Sequence, residues 1–458
     1  MVHPISNHDT IVARATPPGE GGIAVVRMSG PDAIRIAVEL FDGAASLDTL
    51  PTGRIVHGWI RIPESNLADE VVLALMRAPH SYTTEDVVEI SCHGGMRIVE
   101  EIVSACVERG ARRAERGEFT ERAFLNGRLD LTQAEAVLDL IRSRTRSGLA
   151  AACYQLTGQM SERLRDIRER IASSLTQIEA SLEFADEDLG IGELSVEVES
   201  ISGALDSVHQ LRETYDRGRI MTEGATVAIV GPPNVGKSSL MNAILGMERA
   251  IVSPIPGTTR DLVEGEAEID GLRVRLVDTA GLRETGDVIE QEGTRRAEGA
   301  AESADMTVIV CDASGQILPP SRIPVADNAI VVLNKIDIAD KETVENLLAQ
   351  FANRSVYRVS ALLGTGIEEF IAGIRHALIG DSSISAEGGV ITRERHAVEL
   401  EDCAESLGRA LGQIRINGSP DLVAADLRLA LDAIGQITGE TTPIDILNTI
   451  FDEFCVGK

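Results

Sequence analysis

The sequence predicts a multidomain chain: an α+β N-terminal domain, an all-α helical domain in two stretches, and an α/β P-loop domain inserted between those stretches. Its 458 residues suffice for about three domains of roughly 150 residues each. The hydrophobic period also changes along the chain, from short β-type runs, to three- and four-residue spacing, to continuous apolar runs alternating with helical segments. One of those runs, TVAIV, leads directly into Gly231-Pro-Pro-Asn-Val-Gly-Lys237-Ser238, which has the spacing of a phosphate-binding loop.

The first domain, 1–125, is read from the runs IVARAT, GIAVVRM, EVVLALM and DVVEI. They are broken by Pro and Gly clusters and mixed with helical stretches at 31–41 and 95–109. The first part of the helical domain, 126–220, opens at Thr132-Gln133-Ala134-Glu135, whose Thr and Glu are placed to satisfy each other's amides as a capping box. Between 221 and 380 the runs TVAIV, RVRLVDT, TVIVCD, AIVVLNK and VYRVS are near-continuously apolar, which suits strands of a parallel sheet covered on both faces. Asp270-Gly271 suits the tight turn of a hairpin. Residues 380–390 are rich in Gly and Ser and read as a linker. The second helical part, 381–458, then returns, so the helices before 216 and after 390 are expected to pack together. No internal repeat or low-complexity tract is present.

Composition excludes several function classes. With 43 % hydrophobic and 25 % charged residues the chain folds, and no apolar run approaches the roughly 20 residues that span a bilayer. The start, MVHPISNHDT, has neither a basic nor an apolar leader region, which points to the cytoplasm and away from membranes. The six cysteines lie far apart with no C-x-x-C pair, which speaks against a zinc site or a disulfide frame. A net charge of −29 opposes unaided binding to polyphosphate, so DNA is not expected as a partner and any RNA contact must be local or shared. Three of the four lysines, Lys237, Lys335 and Lys458, fall in the segments that carry chemistry.

Four motifs in working order select GTP. Around the phosphates, the loop residues Asn234, Val235, Gly236, Lys237, Ser238 and Ser239 offer converging amides. The Lys237 ammonium is placed for the β- and γ-oxygens, and the Ser238 hydroxyl for Mg²⁺. Asp278-Thr-Ala-Gly281 ends a strand, where the carboxylate holds the Mg²⁺ shell and Gly281 senses the γ-phosphate. In Asn334-Lys335-Ile336-Asp337 the Asp337 carboxylate can accept from guanine N1–H and the 2-amino group together, donors that adenine does not present. The backbone of Ser360-Ala361 can donate to guanine O6.

Many GTPases carry Gln directly after the D-x-x-G motif to orient the attacking water, but here that position is Leu282. The following RETGDVIEQEG supplies carboxylates instead, with Glu284, Asp287, Glu290 and Glu292 all candidates on residues alone. Asn234 is either an ordinary polar loop residue or an oxygen donor to a monovalent cation beside the triphosphate. His93-Gly94-Gly95 reads as a turn into a helix, and the arginines of RGARRAERGEFTER, alternating with glutamates, as a solvated face.

These motifs are accompanied by DTIVARATPPGEGGIAVVRMSG, SYTTEDVVEISCHGG, RGEFTERAFLNGRLDLTQAEAVLDLI, PGTTRD, DTAGLRE and the terminal FCVGK. The combination resembles the translation-factor-related GTPases and, more narrowly, the TrmE (MnmE) family of tRNA modification GTPases, over essentially all 458 residues. The resemblance implies a homodimer whose 1–125 domain resembles tetrahydrofolate-binding folds, with Arg27, Glu89, Arg128 and Lys458 contacting the folate, in 5,10-methylene or 5-formyl form. Cys455 would stand at the same site as a catalytic candidate. It implies Glu290 as the catalytic carboxylate acting through water, and Thr259 beside Ser238 as a Mg²⁺ ligand. K⁺ would be held by Asn234 and the loop Ser253, Ile255 and Thr258, supplying the charge of a missing arginine finger once two GTPase domains meet. An FAD-containing partner of the MnmG (GidA) kind, in a heterotetramer or larger assembly, would join it in placing an aminomethyl or carboxymethylaminomethyl group on C5 of the wobble uridine of certain tRNAs. The alternative is a regulatory GTP switch such as a ribosome-assembly GTPase, for which basic appendages are expected in place of an acidic flanking domain.

Overall fold

The computed structural model describes residues 9–43, 47–143, 145–183, 195–247, 249–250, 263–278, 303–315, 329–380 and 389–458. They fall into two units, Met1–Leu138 with Leu156–Phe184 and Pro420–Lys458, and Asp139–Gln155 with Ala185–Ser419.

In the first unit the β-type runs form a seven-stranded sheet. Its order is β3 (Phe41–Gly43), β4 (Arg54–Ile62), β5 (Leu67–Met76), β6 (Val87–Gly94), β2 (Gly21–Ser29), β1 (Ile11–Arg14) and β7 (Arg112–Arg113), with β1 and β7 parallel and the other pairs antiparallel. Helices α1 (Ala33–Leu40) and α2 (Met96–Glu108) share one core with it, where Ile36, Leu40, Ile102 and Cys106 meet Val26, Met28, Leu73 and Ile90. A fully buried aliphatic side chain of this kind stabilises the fold by roughly 1.5–3 kcal/mol. Because side chains alternate along a strand, Val88, Ile90 and Cys92 enter this core while Glu89, Ser91 and His93 point the other way. Strand β4 is absent from the sequence-based reading because Ile55 and Trp59 face outward, which blurs the alternation set by inward Gly58, Ile60 and Ile62.

After α3 (Glu118–Leu125), the helix α4 (Leu131–Arg142) is capped differently from expectation. Asp130 accepts from Gln133 N at 2.9 Å and Gln133 Oε1 accepts from Asp130 N at 3.1 Å, so the reciprocal box is Asp130 with Gln133, not Thr132 with Glu135. Thr132 already lies in the first turn, and its hydroxyl donates to Asp130 Oδ1 at 2.7 Å. Of the remaining helices, α6 (Gln159–Glu183) packs along α13 (Pro420–Thr438), while α14 (Ile444–Asp452) brings Phe451 and the following Phe454 onto Ala123, Ala134 and Leu138.

The second unit holds another seven-stranded sheet. Its order is β14 (Val356–Arg358), β13 (Ala329–Asn334), β12 (Met306–Asp312), β8 (Ala225–Val230), β11 (Leu272–Asp278), β10 (Val263–Ile269) and β9 (Arg249–Ala250). Its first five strands are parallel, β10 is antiparallel to β11, and β9 is antiparallel to β10. Val227, Ile229, Val308 and Val332 pack under α9 (Lys237–Met247) and α11 (Ile367–Ile379), whereas Ala228, Val230, Ile309 and Leu333 pack under α10 (Lys341–Gln350). Burial on both faces is the reason the central runs β8, β12 and β13 are so nearly continuous in apolar residues. The β10–β11 hairpin turns through Asp270 and Gly271 at φ 47° and 82°, the two left-handed residues of a type I′ turn. Also in this unit are α5 (Arg146–Leu156, all but its last residue), α7 (Ser195–Arg212), α8 (Tyr215–Glu223) and α12 (Glu394–Arg415), with α7 packed along α12. Residues 381–388 of the expected linker lie outside the described residues.

Candidate functional site

Parallel strands gather their following loops at one sheet edge, and the phosphate loop leaves the end of β8 there. Two of its glycines are dictated by close approach: a Cβ on Gly231 would lie 2.4 Å from Val310 O, and one on Gly236 2.3 Å from Asn334 Nδ2. Helix α9 begins at Lys237, so its unpaired N–H groups and the positive end of its dipole face the loop. Lys237 is 5 % exposed and donates to Gly231 O at 2.7 Å and Pro232 O at 2.8 Å. Burial lowers its pKa, and the Asp278 charge offsets part of that. Ser238 Oγ donates to Asp278 Oδ2 at 2.6 Å. Asp278 is fully buried at the end of β11. A hydroxyl and a carboxylate this close form a hard-oxygen pair that fits Mg²⁺.

The base side of the site is tied to the phosphate side. Asn334, 2 % exposed at the end of β13, donates from Nδ2 to Val235 O at 2.8 Å and accepts at Oδ1 from Ala361 N at 3.0 Å. The next residue, Lys335, sits at φ 65° and donates to Asn234 O at 2.8 Å and to Asp312 Oδ2 at 2.6 Å. Asn234 is itself left-handed at φ 67°. Asp337 is exposed two residues further on. Ser360 N donates to Thr365 O at 2.9 Å, so of the Ser360-Ala361 pair it is the Ala361 amide that meets the base motif. Pro232, Asn234, Asp312, Lys335, Leu347 and Phe351 line a cavity of about 270 Å³ beside the loop.

The structure therefore joins Asn234, Val235, Gly236, Lys237, Ser238, Asp278, Asn334, Lys335 and Ala361 through hydrogen bonds and chain continuity, with Ser239, Asp337 and Ser360 adjacent in sequence. Ser253, Ile255, Thr258, Thr259, Gly281 and Glu290 lie outside the described residues. Asp312 was not among the residues read from the sequence. Its signal was an acidic end to the apolar run TVIVCD, at the strand position paired with Asn334.

A separate polar cluster occupies the first unit. Arg27 on β2 lies in register with Glu89 on β6, and its guanidinium meets Glu89 Oε1 at 2.7 Å. The Arg27 guanidinium also sits 5.5 Å from the Tyr82 ring centroid and 5.6 Å from that of Phe119, while Arg128 covers Tyr82 at 4.9 Å. Tyr82, within SYTTEDVVEISCHGG, is thus the shared platform of two candidate arginines. Lys458 is half-buried; burial and the Arg27 charge lower its pKa, and Glu89 raises it.

The C-terminal residues are docked rather than frayed. Phe119 N donates to Lys458 O at 3.2 Å, Arg116 Nε donates to Phe454 O at 2.9 Å, and Arg116 bridges Val456 in antiparallel fashion. Cys455 is exposed within this docked tail.

Two expectations change. His93 is in β6, not a turn, with its backbone N and Nδ1 held 2.9 and 2.6 Å from the Asp69 carboxylate. The stretch RGARRAERGEFTER is only partly a solvated face: Arg122 is fully buried and bonds Asp9 Oδ1 at 2.6 Å and Glu118 Oε1 at 2.9 Å. Helix α3 turns that one guanidinium inward, where its two terminal nitrogens meet Glu118 on the same helix and Asp9 and Glu85 from other segments.

Comparison with known proteins adds two family matches, "MnmE helical domain" over residues 131–455 and "GTP-binding protein TrmE N-terminus" over residues 10–128. Proteins named tRNA modification GTPase MnmE are similar along the whole length. That of Natranaerobius thermophilus is 41 % identical, with 98 % of this chain and 99 % of the relative covered. The Moorella thermoacetica protein is 44 % identical at 98 % and 99 % coverage, and the Chloroflexus aurantiacus protein 43 % at 98 % and 100 %.

Proposed function

The chain belongs to the TrmE (MnmE) family of tRNA modification GTPases, and from that premise we propose that it hydrolyses GTP in a potassium-activated site to drive wobble-uridine modification with a flavin-carrying partner. The observation that carries the hydrolytic reading is the contact of Ser238 Oγ with buried Asp278 Oδ2 at 2.6 Å, beside buried Lys237 at the start of α9. Mg²⁺ held there would supply positive charge against the negative charge that develops in phosphoryl transfer. Ser238 and Thr259 would ligate it, with Asp278 holding its outer shell. Asn234, Ser253, Ile255 and Thr258 would hold K⁺, which supplies the positive charge that an arginine finger brings elsewhere. Leu282 has no hydrogen-bonding side chain, so Glu290 is proposed to orient the attacking water.

The Arg27, Glu89, Arg128 and Lys458 cluster is proposed to hold a tetrahydrofolate derivative, the source of the carbon unit. A carboxylate paired with a guanidinium, beside guanidinium groups stacked on an aromatic ring, fits a planar, hydrogen-bonding pterin and its acidic tail. Arg128 stacks on Tyr82 as a planar fork, where a lysine would offer only a point charge. Cys455, on the docked tail, is the proposed thiol of that site. The reading includes a homodimer, an MnmG-like FAD protein in a heterotetramer or larger, tRNA as the joint substrate and a cytoplasmic setting. Domains of 1–125, 126–220, 221–380 and 381–458 complete it. With a net charge of −29, most of the basic surface for tRNA is assigned to the partner.

Nucleoside analysis of tRNA from cells lacking this chain, complemented with wild type or Asp278→Ala, tests the reading. Wild type should restore the modified wobble uridine and the variant should not. Restoration by Asp278→Ala would separate GTP hydrolysis from modification and overturn the proposal.

A further inference from the structure

Asp312 ends β12 directly beside Asn334 on β13, and none of the GTP motifs accounts for it. Its carboxylate accepts from Lys335 Nζ at 2.6 Å, from Ser314 Oγ at 2.7 Å and from Ser314 N at 2.9 Å. Burial works to raise its pKa, but the bonds from Lys335 and Ser314 outweigh that and hold the group ionised below the ordinary carboxylate range. A lysine carries a compact ammonium on a flexible stem, so one acceptor cannot fix its position. Here two acceptors do: Asp312 on one side and the Asn234 carbonyl on the other, 2.8 Å away.

That second acceptor is where the geometry becomes informative. Asn234 and Lys335 both hold left-handed backbone angles, φ 67° and 65°, which L residues keep only under local constraint. Consecutive residues of the base motif grip consecutive carbonyls of the phosphate loop, Asn334 on Val235 and Lys335 on Asn234. Releasing Lys335 leaves one grip where there were two, and frees the carbonyl of Asn234, the loop residue proposed as a K⁺ ligand.

We propose that Asp312 is a positioning residue for GTP hydrolysis, acting through Lys335 to hold Asn234 and the phosphate loop in the shape that turnover requires. The hydrolytic claim stands on the GTPase identity of the chain. Only its potassium arm rests on the cation reading above.

The test is a double-mutant cycle on the full-length chain with Asp312→Asn, Lys335→Met and the pair, measuring kcat and KM for GTP and the melting temperature of each nucleotide-free protein. Asp312→Asn should lower kcat about five- to tenfold at a melting temperature close to wild type, and the double variant should lose no more than Lys335→Met alone. Asp312→Glu, which keeps the charge, should recover part of the rate. An unchanged kcat, losses that multiply in the double variant, no recovery by Glu, or a rate loss matched by a lowered melting temperature would each overturn the role. Repeating the rates over a KCl titration should show a several-fold higher half-activating concentration for Asp312→Asn. If wild type itself does not respond to KCl, the potassium reading fails while the cycle still decides on Asp312.

Discussion

Asn334 Nδ2 lies 2.8 Å from the Val235 carbonyl oxygen, so a single buried amide on the base motif supports the middle of the phosphate loop. Its Oδ1 accepts from Ala361 N, which makes Asn334 the common strut of all three loops. Asn334→Ala orphans the Val235 carbonyl in a buried setting, at a cost of about 1–3 kcal/mol to the loop that holds the nucleotide. Dissociation of a fluorescent GDP analogue, followed by stopped flow, should accelerate roughly 5- to 100-fold, and GTP release should accelerate equally.

The carboxyl of Glu121 on α3 is pushed up to about 7 by burial, with the neighbouring charges of Glu118, Glu115 and Asp452 adding to the effect and Arg122 opposing it. A raised carboxyl pKa means the native state retains a proton that the unfolded chain has lost. Its contribution to stability is therefore complete below about pH 4.5 and fades as pH rises through about 7. Glu121→Gln should match wild type in melting temperature near pH 5 and exceed it by a few degrees near pH 8, about 2 kcal/mol. Scanning calorimetry at the two values reads the difference directly.

Tyr82 serves Arg27 and Arg128 at once, at 5.5 and 4.9 Å from its ring centroid. Tyr82→Leu removes both cation–π contacts, each worth about 0.5–2 kcal/mol, and should weaken binding of 5-formyl-tetrahydrofolate by roughly 5- to 30-fold in titration calorimetry. Tyr82→Phe keeps the ring and should bind within about threefold of wild type. GTP turnover should be the same in all three proteins, since Tyr82 belongs to the other unit.

Gly457 docks the C-terminal tail through a conformation that only glycine tolerates there, φ 93° with the Cβ position 2.2 Å from Arg14 O. Gly457→Ala should lift the tail, because strain of about 1–3 kcal/mol has no relief short of backbone movement. Hydrogen exchange at the amides of Gly117 and Phe119, which donate to Cys455 O and Lys458 O, should quicken roughly tenfold or more while the sheet amides keep their protection.

The legible parts of this chain were those in which one residue type has one physical purpose. Gly231, Gly236, Lys237 and Ser238 stand out by their spacing together with the apolar run before them and the helical segment after, and the near-continuous apolar runs announce a sheet buried on both faces. Asp270-Gly271 foretold its hairpin because two left-handed residues in succession leave few alternatives. What escaped were features settled by tertiary partners. Asp130 outcompetes Thr132 for the cap because the helix starts one residue before Thr132. Arg122 looks like its exposed arginine neighbours until Asp9 and Glu85 from other segments join Glu118 of its own helix around it. Asp312 and Tyr82 carry no motif of their own; each matters through what it touches, Lys335 in one case and two guanidinium groups in the other.

The central claim, a potassium-assisted GTPase, is tested most directly by the initial rate of GTP turnover in KCl and in NaCl at equal ionic strength, with Glu290→Ala beside wild type. The account predicts that wild type turns over at least about tenfold faster in KCl and that Glu290→Ala loses most of that rate while binding nucleotide normally. Equal rates in the two salts, or an undiminished variant, would contradict it.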